Sequence, residues 1–306
     1  MGQRVIVIIG PTCSGKSYLG LKLAQLINGE IISADSRQIY KRLNIGTAKP
    51  TSEELQKIKH HFINILNTDE DYDANKFSID AENVIYDIHK RKMTAMVVGG
   101  SGLYVKALIE GIVDSADKDE NLRNELFAKK EKYGNEFLYN ELIKVDPISA
   151  EKMLPQNWKR VIRALEVFYL TGKPIYQHHS NQNKNSKFSF YQIGLNWDRE
   201  ALYSRIEQRI DMMIEDGLVY EVMDILNDGY DKNLNSLNTV GYKEIISYLE
   251  KEITLSRAIE LIKRNTRRYA KRQLTWFRAD KRIRWFNVSS QDDIDDLTLQ
   301  LINNID

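Results

Sequence analysis

A glycine-rich segment near the start of the chain carries the strongest chemical signal in the sequence. Residues 10–17 fit the spacing G-x-x-x-x-G-K-S and lie between an apolar strand pattern and a helical pattern. In such a P-loop, backbone N–H groups and a helix N-terminus bind phosphates, Lys16 adds a positive charge, and the Ser17 hydroxyl can hold Mg²⁺. The alternative is a glycine turn followed by a chance Lys-Ser. The context favours phosphate binding by Gly10, Pro11, Thr12, Cys13, Ser14, Gly15, Lys16 and Ser17.

A single carboxylate at the end of a second strand is the candidate catalytic base. The strand predicted over Glu30–Ala34 leads directly to Asp35, whereas the strand over Thr94–Val98 leads to glycines and Ser101. The sequence contains no Asn-Lys-x-Asp tetrapeptide of the kind that reads guanine in GTPases. Because the carboxyl ends of parallel strands share one rim of the sheet, we expect Asp35 to face the phosphate site. This pattern favours group transfer to an acceptor over a motor ATPase, and the alternative is a turn or N-cap aspartate.

The distribution of charge is more informative than its sum. The 306 residues include 44 Lys+Arg and 43 Asp+Glu, and this near balance by itself argues against a nucleic-acid partner. However, residues 257–284 contain eleven basic and two acidic residues, whereas residues 285–306 contain five aspartates and no Lys or Arg. Arg264, Arg268 and Arg272 fall on one face of a helix. They predict a groove for phosphates of a polynucleotide or of a small substrate, the alternative being a solvated helix face.

Composition and pattern together define the expected fold class. A hydrophobic content of 42% is typical of globular proteins, and a single cysteine excludes a disulfide framework and zinc sites built on paired thiolates. No apolar run is long enough to cross a bilayer, so we expect a cytoplasmic protein without membrane association. Apolar runs indicate buried parallel strands over Val5–Ile9, Glu30–Ala34, Thr94–Val98, Phe188–Leu195 and Ile283–Val288.

Helical patterns alternate with these strands and then replace them. The alternation predicts an α/β fold, with a P-loop NTPase-like parallel sheet core that is flanked by helices. Residues 115–187 show only helical patterns and therefore predict an all-helical insertion domain, with the core formed by 1–114 and 188–306. The predicted helices are Tyr18–Ile27, Ala74–His89, Asn121–Tyr133, Glu136–Lys144, Ser149–Met153, Trp158–Leu170, Arg199–Leu226 and Thr254–Arg278.

Several segments resemble those of one known family. The P-loop is followed in order by Asp35-Ser-Arg-Gln-Ile-Tyr40, Asn44-Ile-Gly-Thr-Ala-Lys-Pro50, Val98-Gly-Gly-Ser-Gly-Leu-Tyr104 and Thr266-Arg-Arg-Tyr-Ala-Lys-Arg-Gln-Leu-Thr-Trp276. In this combination the sequence resembles the tRNA dimethylallyltransferase (isopentenyltransferase) family of bacterial type. It departs from the family pattern at Leu154-Pro-Gln-Asn157, where His-Pro-Asn-Asp is usual, at Cys13 for alanine, and at Ser101 for threonine.

The resemblance implies a substrate pair and a set of site residues. It implies transfer of the dimethylallyl group from dimethylallyl diphosphate to N6 of the adenine next to the anticodon (position 37), with Mg²⁺ as cofactor. Asp35 and Ser101 are the implied catalytic residues, and the helical insertion is implied to clamp the tRNA anticodon stem-loop. We expect a monomer. The expected tRNA-binding residues are Asp35, Ser36, Arg37, Gln38, Ser101, Arg123, Lys159, Arg160, Arg163, Gly241, Tyr242 and Lys243.

Other residues leave alternatives open. Arg205 and Arg209 lie one helical turn apart, and one of them, assigned here as Arg209, is expected to reach the diphosphate; a surface pair is the alternative. His60-His61 and His178-His179 are interpreted as structural, and Cys13 as a packing residue. A small-metabolite or nucleoside kinase needs the P-loop and Asp35 but no basic stripe. A non-catalytic RNA-binding module that uses the loop for a regulatory nucleotide needs no Asp35.

Overall fold

Six parallel strands form one sheet that carries the loops of interest at a single edge. The computed structural model describes residues 3–111, 119–180 and 187–305. The strands run in the order β3-β2-β4-β1-β5-β6. Val5–Ile9 of the central strand is fully buried, as a strand covered on both faces requires. The α/β class with a P-loop-like parallel sheet is thereby confirmed. The strands are β1 Gln3–Ile9, β2 Gly29–Ser33, β3 His60–His61, β4 Thr94–Gly99, β5 Phe188–Trp197 and β6 Arg284–Val288.

Helices follow the strands and also form a separate group in the middle of the chain. Within the described ranges, none of them is both long and apolar enough to cross a membrane. A short 3₁₀ turn, Pro155–Asn157, precedes α8. The helices are α1 Lys16–Leu26, α2 Ser52–Lys57, α3 Ala74–Lys90, α4 Gly102–Glu110, α5 Glu120–Tyr133, α6 Asn135–Val145, α7 Pro147–Ala150, α8 Trp158–Thr171, α9 Ile175–Ser180, α10 Arg199–Glu215, α11 Leu218–Asn227, α12 Tyr242–Leu249, α13 Leu255–Arg278 and α14 Gln291–Ile305.

The chain divides into two compact units. The α/β unit comprises Met1–Ile109 and Ser186–Asp306, and the helical unit comprises Glu110–Asn185. The helical unit has a small apolar core of its own, formed by buried side chains such as Leu126, Leu142 and Leu165 from α5, α6 and α8.

Several elements differ from the sequence-based prediction. The short helices α2, α4, α9 and α12 and the last helix α14 were not predicted, and the helix predicted over Ser149–Met153 is α7, Pro147–Ala150. The continuous helix predicted over Arg199–Leu226 is wrong, because α10 ends at Glu215 and a new helix begins at Leu218. Gly217 between them has φ 100°, a left-handed conformation that ends a helix and that glycine adopts without steric cost. The two-residue strand β3 was not predicted, since so short a segment has no periodicity to detect.

The predicted structural role of His60 and His61 is supported by their contacts at the edge of the sheet. His60 Nδ1 lies 2.8 Å from the Ile58 carbonyl oxygen, and His61 Nε2 lies 2.7 Å from Glu30 Oε2. Both oxygens of Glu30 also accept hydrogen bonds from Arg91, at 2.5 and 2.8 Å. Among the residues in the described ranges, no cluster of three or more His, Cys, Asp or Glu side chains is placed to hold a metal ion.

This network makes the stability of the fold depend on acid pH. The Arg91 guanidinium lowers the pKa of Glu30 from 4.5 to about 2, against the opposing effect of burial. Because the pKa is lower in the folded state, the ionised carboxylate stabilises the fold fully above pH 4.5, and this contribution is lost as pH falls towards 2. At neutral pH, Glu30→Gln is expected to lower the free energy of unfolding by about 3 kcal/mol.

Urea unfolding from pH 7 to pH 2 measures this effect. The difference between the wild type and Glu30→Gln should shrink as pH falls below 4.5. Glu53→Gln, a change at an exposed glutamate of α2, is the matched control and should leave the curve unchanged. If the free energies of unfolding of the wild type and Glu30→Gln differed by the same amount from pH 7 to pH 2, the lowered pKa of Glu30 would be contradicted.

Candidate active site

The loop between β1 and α1 has the backbone of an anion-binding turn. Cys13 and Gly15 have φ of 64° and 83°, so the chain turns sharply before α1 begins at Lys16. No side chain caps the N-terminus of this helix. Its first-turn N–H groups therefore remain as donors for an anion at the positive end of the helix dipole. The predicted loop, residues 10–17, has the local geometry that phosphate binding requires.

Side chains from β5 and α10 hold the loop in place. The Trp197 indole N–H donates to the Ser14 carbonyl at 2.8 Å, and Arg205 Nε donates to the Cys13 carbonyl at 3.0 Å. The Arg205 guanidinium also lies 4.3 Å from the centroid of the Trp197 ring. Arg205 is thus bound to the backbone of the loop. Arg209, the other arginine considered in the sequence, lines a cavity together with Thr12 and Cys13.

Lys16 lies in a strongly desolvated position. Its Nζ donates to the Pro11 carbonyl at 3.2 Å. Burial lowers the pKa of Lys16 from 10.5 to about 8, with the charge of Asp35 acting against this shift and that of Arg209 adding to it. An anion bound at the loop would compensate for the buried charge, since an opposite charge favours the ionised form. The lysine is thus suited to a phosphate ligand.

Asp35 combines a turn-forming role with a second, uncommitted oxygen. Its Oδ1 accepts from the backbone N–H groups of Arg37 and Gln38, at 2.8 and 3.3 Å. The turn aspartate considered in the sequence is therefore present. The other carboxylate oxygen has no hydrogen-bond partner within the part of the chain that the structure describes, and Asp35 lines the cavity. One oxygen shapes the turn and the other is left for a substrate.

Ser101 lies beside this turn because β4 and β2 end very close together. A Cβ on Gly99 would lie 2.1 Å from the Ala34 carbonyl oxygen, so only glycine fits at that position. The Ser101 N–H donates to the same carbonyl at 3.1 Å. Ser101 Oγ accepts from the Ser36 N–H at 3.0 Å. The geometry gives Ser101 a role in supporting the Asp35 turn.

Gln273 connects the two loops and was missed as a site residue by sequence reasoning. Its side chain is 6% exposed. The Oε1 atom accepts from the Thr12 N–H at 2.8 Å, and the Nε2 atom donates to the Gly100 carbonyl at 2.9 Å. Its one sequence signal is a polar residue on the buried stripe of α13, between Ala270 and Phe277. The amide fixes the phosphate loop relative to the loop that carries Ser101.

A cavity of about 340 Å³ opens between these loops and the C-terminal helices. It brings together Thr12 and Cys13 of the phosphate loop with the turn at Asp35. Four further polar or charged residues that line it are Arg37, Arg209, Tyr269 and Arg272. Burial raises the pKa of Tyr269 to about 12, so its hydroxyl is protonated at neutral pH and can donate a hydrogen bond. The phosphate site and the candidate base therefore open into one space.

The segment 241–243 divides between the cavity and the core. Gly241 and Lys243 line the cavity. Tyr242 has no exposed surface and donates to Glu221 at 2.6 Å, and its burial raises the pKa of its hydroxyl well above the usual value. Glu221 also accepts from the N–H groups of Asn44, Ile45 and Gly46. Tyr242 thus holds the 44–46 loop against α11 and presents no surface to a ligand.

Gln38 has a comparable supporting place within the turn that follows β2. Its Nε2 donates to the carbonyls of Thr47 and Ala48, both at 3.1 Å, and its Oε1 accepts from Ser33 Oγ at 3.2 Å. The side chain therefore links the 35–38 turn to the 44–48 loop. Ser36 and Arg37 line the cavity beside it.

The basic residues of α13 serve two purposes. Lys263 and Arg267 form ion pairs with Asp211 and Glu207 of α10, at 2.6 and 2.5 Å. Arg272, from the predicted stripe, lines the cavity and lies 5.8 Å from the Tyr269 ring centroid. Part of the positive charge therefore ties two helices together, and part faces the candidate site.

In the helical unit, the predicted RNA-binding residues fall into two pairs. Arg123 and Arg163 bond the same Glu166 oxygen, at 2.7 and 2.9 Å, and the Glu166 side chain is fully buried. Burial by itself raises the pKa of Glu166, but the two guanidiniums outweigh it and leave the pKa below its usual value. Lys159 and Arg160, by contrast, are exposed on α8.

Comparison with known proteins places this arrangement among enzymes that modify tRNA. The family model described as IPP transferase matches residues 38–280. A tRNA dimethylallyltransferase of Alkaliphilus oremlandii is 46% identical over 97% of this chain and 95% of that protein. A tRNA dimethylallyltransferase of Halothermothrix orenii is 47% identical over 94% of this chain and 88% of that protein.

Solved structures give the same result. The tRNA isopentenylpyrophosphate transferase of Bacillus halodurans superposes with a TM-score of 0.72 at 38% identity, covering 99% of this chain and 96% of that one. A eukaryotic dimethylallyltransferase acting on tRNA superposes with a TM-score of 0.83 at 31% identity, covering 99% of this chain and 80% of that one.

Proposed function

Since the chain belongs to the IPP transferase family, we propose that it is a tRNA dimethylallyltransferase that modifies N6 of the adenine next to the anticodon. The donor in this proposal is dimethylallyl diphosphate. The observation that carries the proposal is that the phosphate loop and Asp35 line the same cavity. Family membership favours this enzyme over the small-metabolite or nucleoside kinase that the P-loop and Asp35 alone would also suit.

The proposed reaction exchanges one bond for another at the first carbon of the allylic group. The bond between this carbon and the diphosphate oxygen breaks, and the diphosphate leaves with the electron pair. The developing negative charge is stabilised by the N–H groups of the loop, Lys16 and Arg209. The leaving oxygen gains negative charge only as the bond breaks, so donors already in place bind the transition state more tightly than the substrate and lower the barrier.

Asp35 prepares the acceptor. The N6 amine of adenine is a weak nucleophile because its lone pair is conjugated with the ring. We assign the second oxygen of Asp35 to accept the N6–H, to orient the lone pair towards the allylic carbon, and to take the proton as the N6–C bond forms. Oδ1 meanwhile stays bonded to the backbone of Arg37 and Gln38 and keeps the carboxylate in position.

The residues present also fit the cofactor in the proposal, Mg²⁺. Ser17 is exposed in the first turn of α1, next to Lys16. Mg²⁺ usually takes few protein oxygens and completes its shell with substrate phosphates and water, so one hydroxyl and a diphosphate suit it. When bound, it would neutralise charge on the leaving diphosphate.

A base in an anticodon loop must leave its stack to reach this cavity. The proposal gives Ser36, Arg37 and Ser101 the task of placing the target nucleotide. Gly241 and Lys243 line the same cavity and are assigned to it as well, whereas Gln38 and Tyr242 are assigned to support of the surrounding loops. We further propose that the enzyme acts as a cytoplasmic monomer.

The helical unit is proposed to hold the anticodon arm through exposed Lys159 and Arg160. Arg123 and Arg163, which both form ion pairs with Glu166, are proposed to complete this surface. Arg160→Ala should weaken tRNA binding and reduce the salt slope of log K by about 1, because one phosphate contact is lost. Affinity for inorganic diphosphate should not change.

Filter binding at several salt concentrations measures this effect. Lys173→Ala, at an exposed lysine of the same unit, is the control and should leave the slope unchanged. An Arg160→Ala enzyme with an unchanged salt slope, or with equally weakened diphosphate binding, would contradict the division of labour.

Release of inorganic diphosphate tests the proposed function. With dimethylallyl diphosphate and Mg²⁺, release should depend on tRNA and should cease with a tRNA that has guanine in place of the target adenine. Consumption of ATP without release of diphosphate from the prenyl donor would instead indicate the kinase.

A further inference from the structure

The second wall of the cavity is apolar. Its six aliphatic residues are Ile206, Ile210, Met213, Leu218, Val240 and Ile262. Four of these, Ile206, Ile210, Leu218 and Ile262, are at most 2% exposed. A wall of this kind does not suit phosphate or a nucleobase edge, which need hydrogen-bond partners. It suits a hydrocarbon group.

The helix α10 gives this wall a direction. At its near end, Arg205 is bonded to the Cys13 carbonyl of the phosphate loop. Ile206, Ile210 and Met213 recur at spacings of four and three residues and so share one face of the helix. At 1.5 Å per residue, Met213 lies about 10 Å further along the axis than Ile206. The apolar wall therefore leads away from the phosphate loop.

The break between α10 and α11 follows Met213, the last residue of this wall on α10. Gly217, with φ 100°, ends the first helix region and allows Leu218 to begin the next. Leu218 is fully buried and lines the cavity with Met213. The feature that made the sequence-based prediction of one long helix fail thus places a side chain at the end of the apolar wall.

We propose that this apolar wall binds the prenyl chain of the donor, and that Met213 and Leu218 limit the donor to a single five-carbon unit. The inference rests on the proposed function and names the residues that set donor length. A longer chain such as geranyl would collide with these two side chains, and overfilling a packed site is unfavourable. Discrimination by carbon atoms in an apolar pocket is modest, about 10-fold to 200-fold.

Shortening the side chain at the far end tests this inference. Met213→Ala should raise the ratio of kcat/KM for geranyl diphosphate to that for dimethylallyl diphosphate by about 10-fold or more. Met213 is only half-buried, so the variant should fold. Met212→Ala is the matched control, because Met212 neighbours it on the same helix but is 53% exposed and does not line the cavity.

A second variant fills the space instead. Met213→Trp should lower kcat/KM for dimethylallyl diphosphate by about 10-fold or more, with the inhibition constant of inorganic diphosphate unchanged. If the wild type is active with dimethylallyl diphosphate but Met213→Ala and Met212→Ala have the same ratio of kcat/KM for the two donors, the length limit alone is overturned. The length limit would also be overturned if Met213→Trp weakened the binding of inorganic diphosphate as much as it lowered kcat/KM for dimethylallyl diphosphate. A wild-type enzyme that transfers neither prenyl group would overturn the proposed function and this inference with it.

Discussion

Asp35→Asn is expected to lower the single-turnover rate by about 10²-fold to 10⁴-fold, the range of a lost general base. The asparagine side chain keeps an oxygen that can accept from the N–H groups of Arg37 and Gln38, so the turn should persist. It cannot take a proton from N6. The loss should therefore appear in the chemical step, and the affinity for tRNA should stay within about twofold of the wild type because phosphate contacts dominate that affinity.

Rapid-quench kinetics with excess enzyme measures the chemical step separately from product release. Asp35→Ala removes the turn-forming oxygen as well and should be slower still. Glu53→Gln, the same acid-to-amide change at an exposed residue that does not line the cavity, serves as the control. A wild-type rate in Asp35→Asn would remove Asp35 as the base.

Gln273→Met is expected to lower kcat/KM by about 100-fold, the effect that a displacement of roughly 1 Å in a catalytic group can have. Methionine is similar in length but cannot bond the Thr12 N–H or the Gly100 carbonyl. Both backbone groups would then lose their partner, and the two loops would no longer be held at a fixed position relative to each other. Each unsatisfied buried group also costs about 1–3 kcal/mol of stability, so thermal unfolding should be recorded in parallel.

A charged variant separates positioning from general destabilisation. Gln273→Glu keeps an acceptor for Thr12 but places a carboxylate beside the phosphate loop and loses the donor to Gly100. Gln273→Glu should weaken the binding of inorganic diphosphate more than Gln273→Met does, because the carboxylate and the diphosphate carry like charges and repel at close range. Thr275→Ala, at an exposed residue of the same helix, is the control. Normal diphosphate affinity and normal kcat in Gln273→Glu would show that Gln273 has no part in positioning the site.

The parts of the site that were predictable from sequence are those that short segments encode. The P-loop spacing, the strand that ends at Asp35 and the glycines before Ser101 are each contained in a few neighbouring residues. Because the carboxyl ends of parallel strands lie at one edge of a sheet, these three segments could be predicted to lie close together. This combination is enough to predict the sheet, the phosphate loop and the candidate base.

The connections between these segments were not predictable, since they depend on residues far apart in the chain. Gln273 meets Thr12 across 261 positions, and Trp197 meets Ser14 across 183. No local pattern records such pairs. The same limit applies in the helical unit, where Arg163 looks like part of an exposed cationic face but shares buried Glu166 with Arg123.

The apolar wall shows a different limit. The periodicity of α10 marks Ile206 and Ile210 as buried but cannot tell a core from a ligand pocket, because both need an apolar helix face. Only the space left beside the phosphate loop distinguishes the two.

Nucleoside mass spectrometry of tRNA after reaction with dimethylallyl diphosphate and Mg²⁺ tests most directly whether the shared cavity joins donor and acceptor. We predict that the adenosine next to the anticodon gains one five-carbon prenyl group on N6, and that Asp35→Asn abolishes most of this gain. Unmodified adenosine after incubation with the folded protein, or a prenyl group on another nucleoside, would contradict the proposed function.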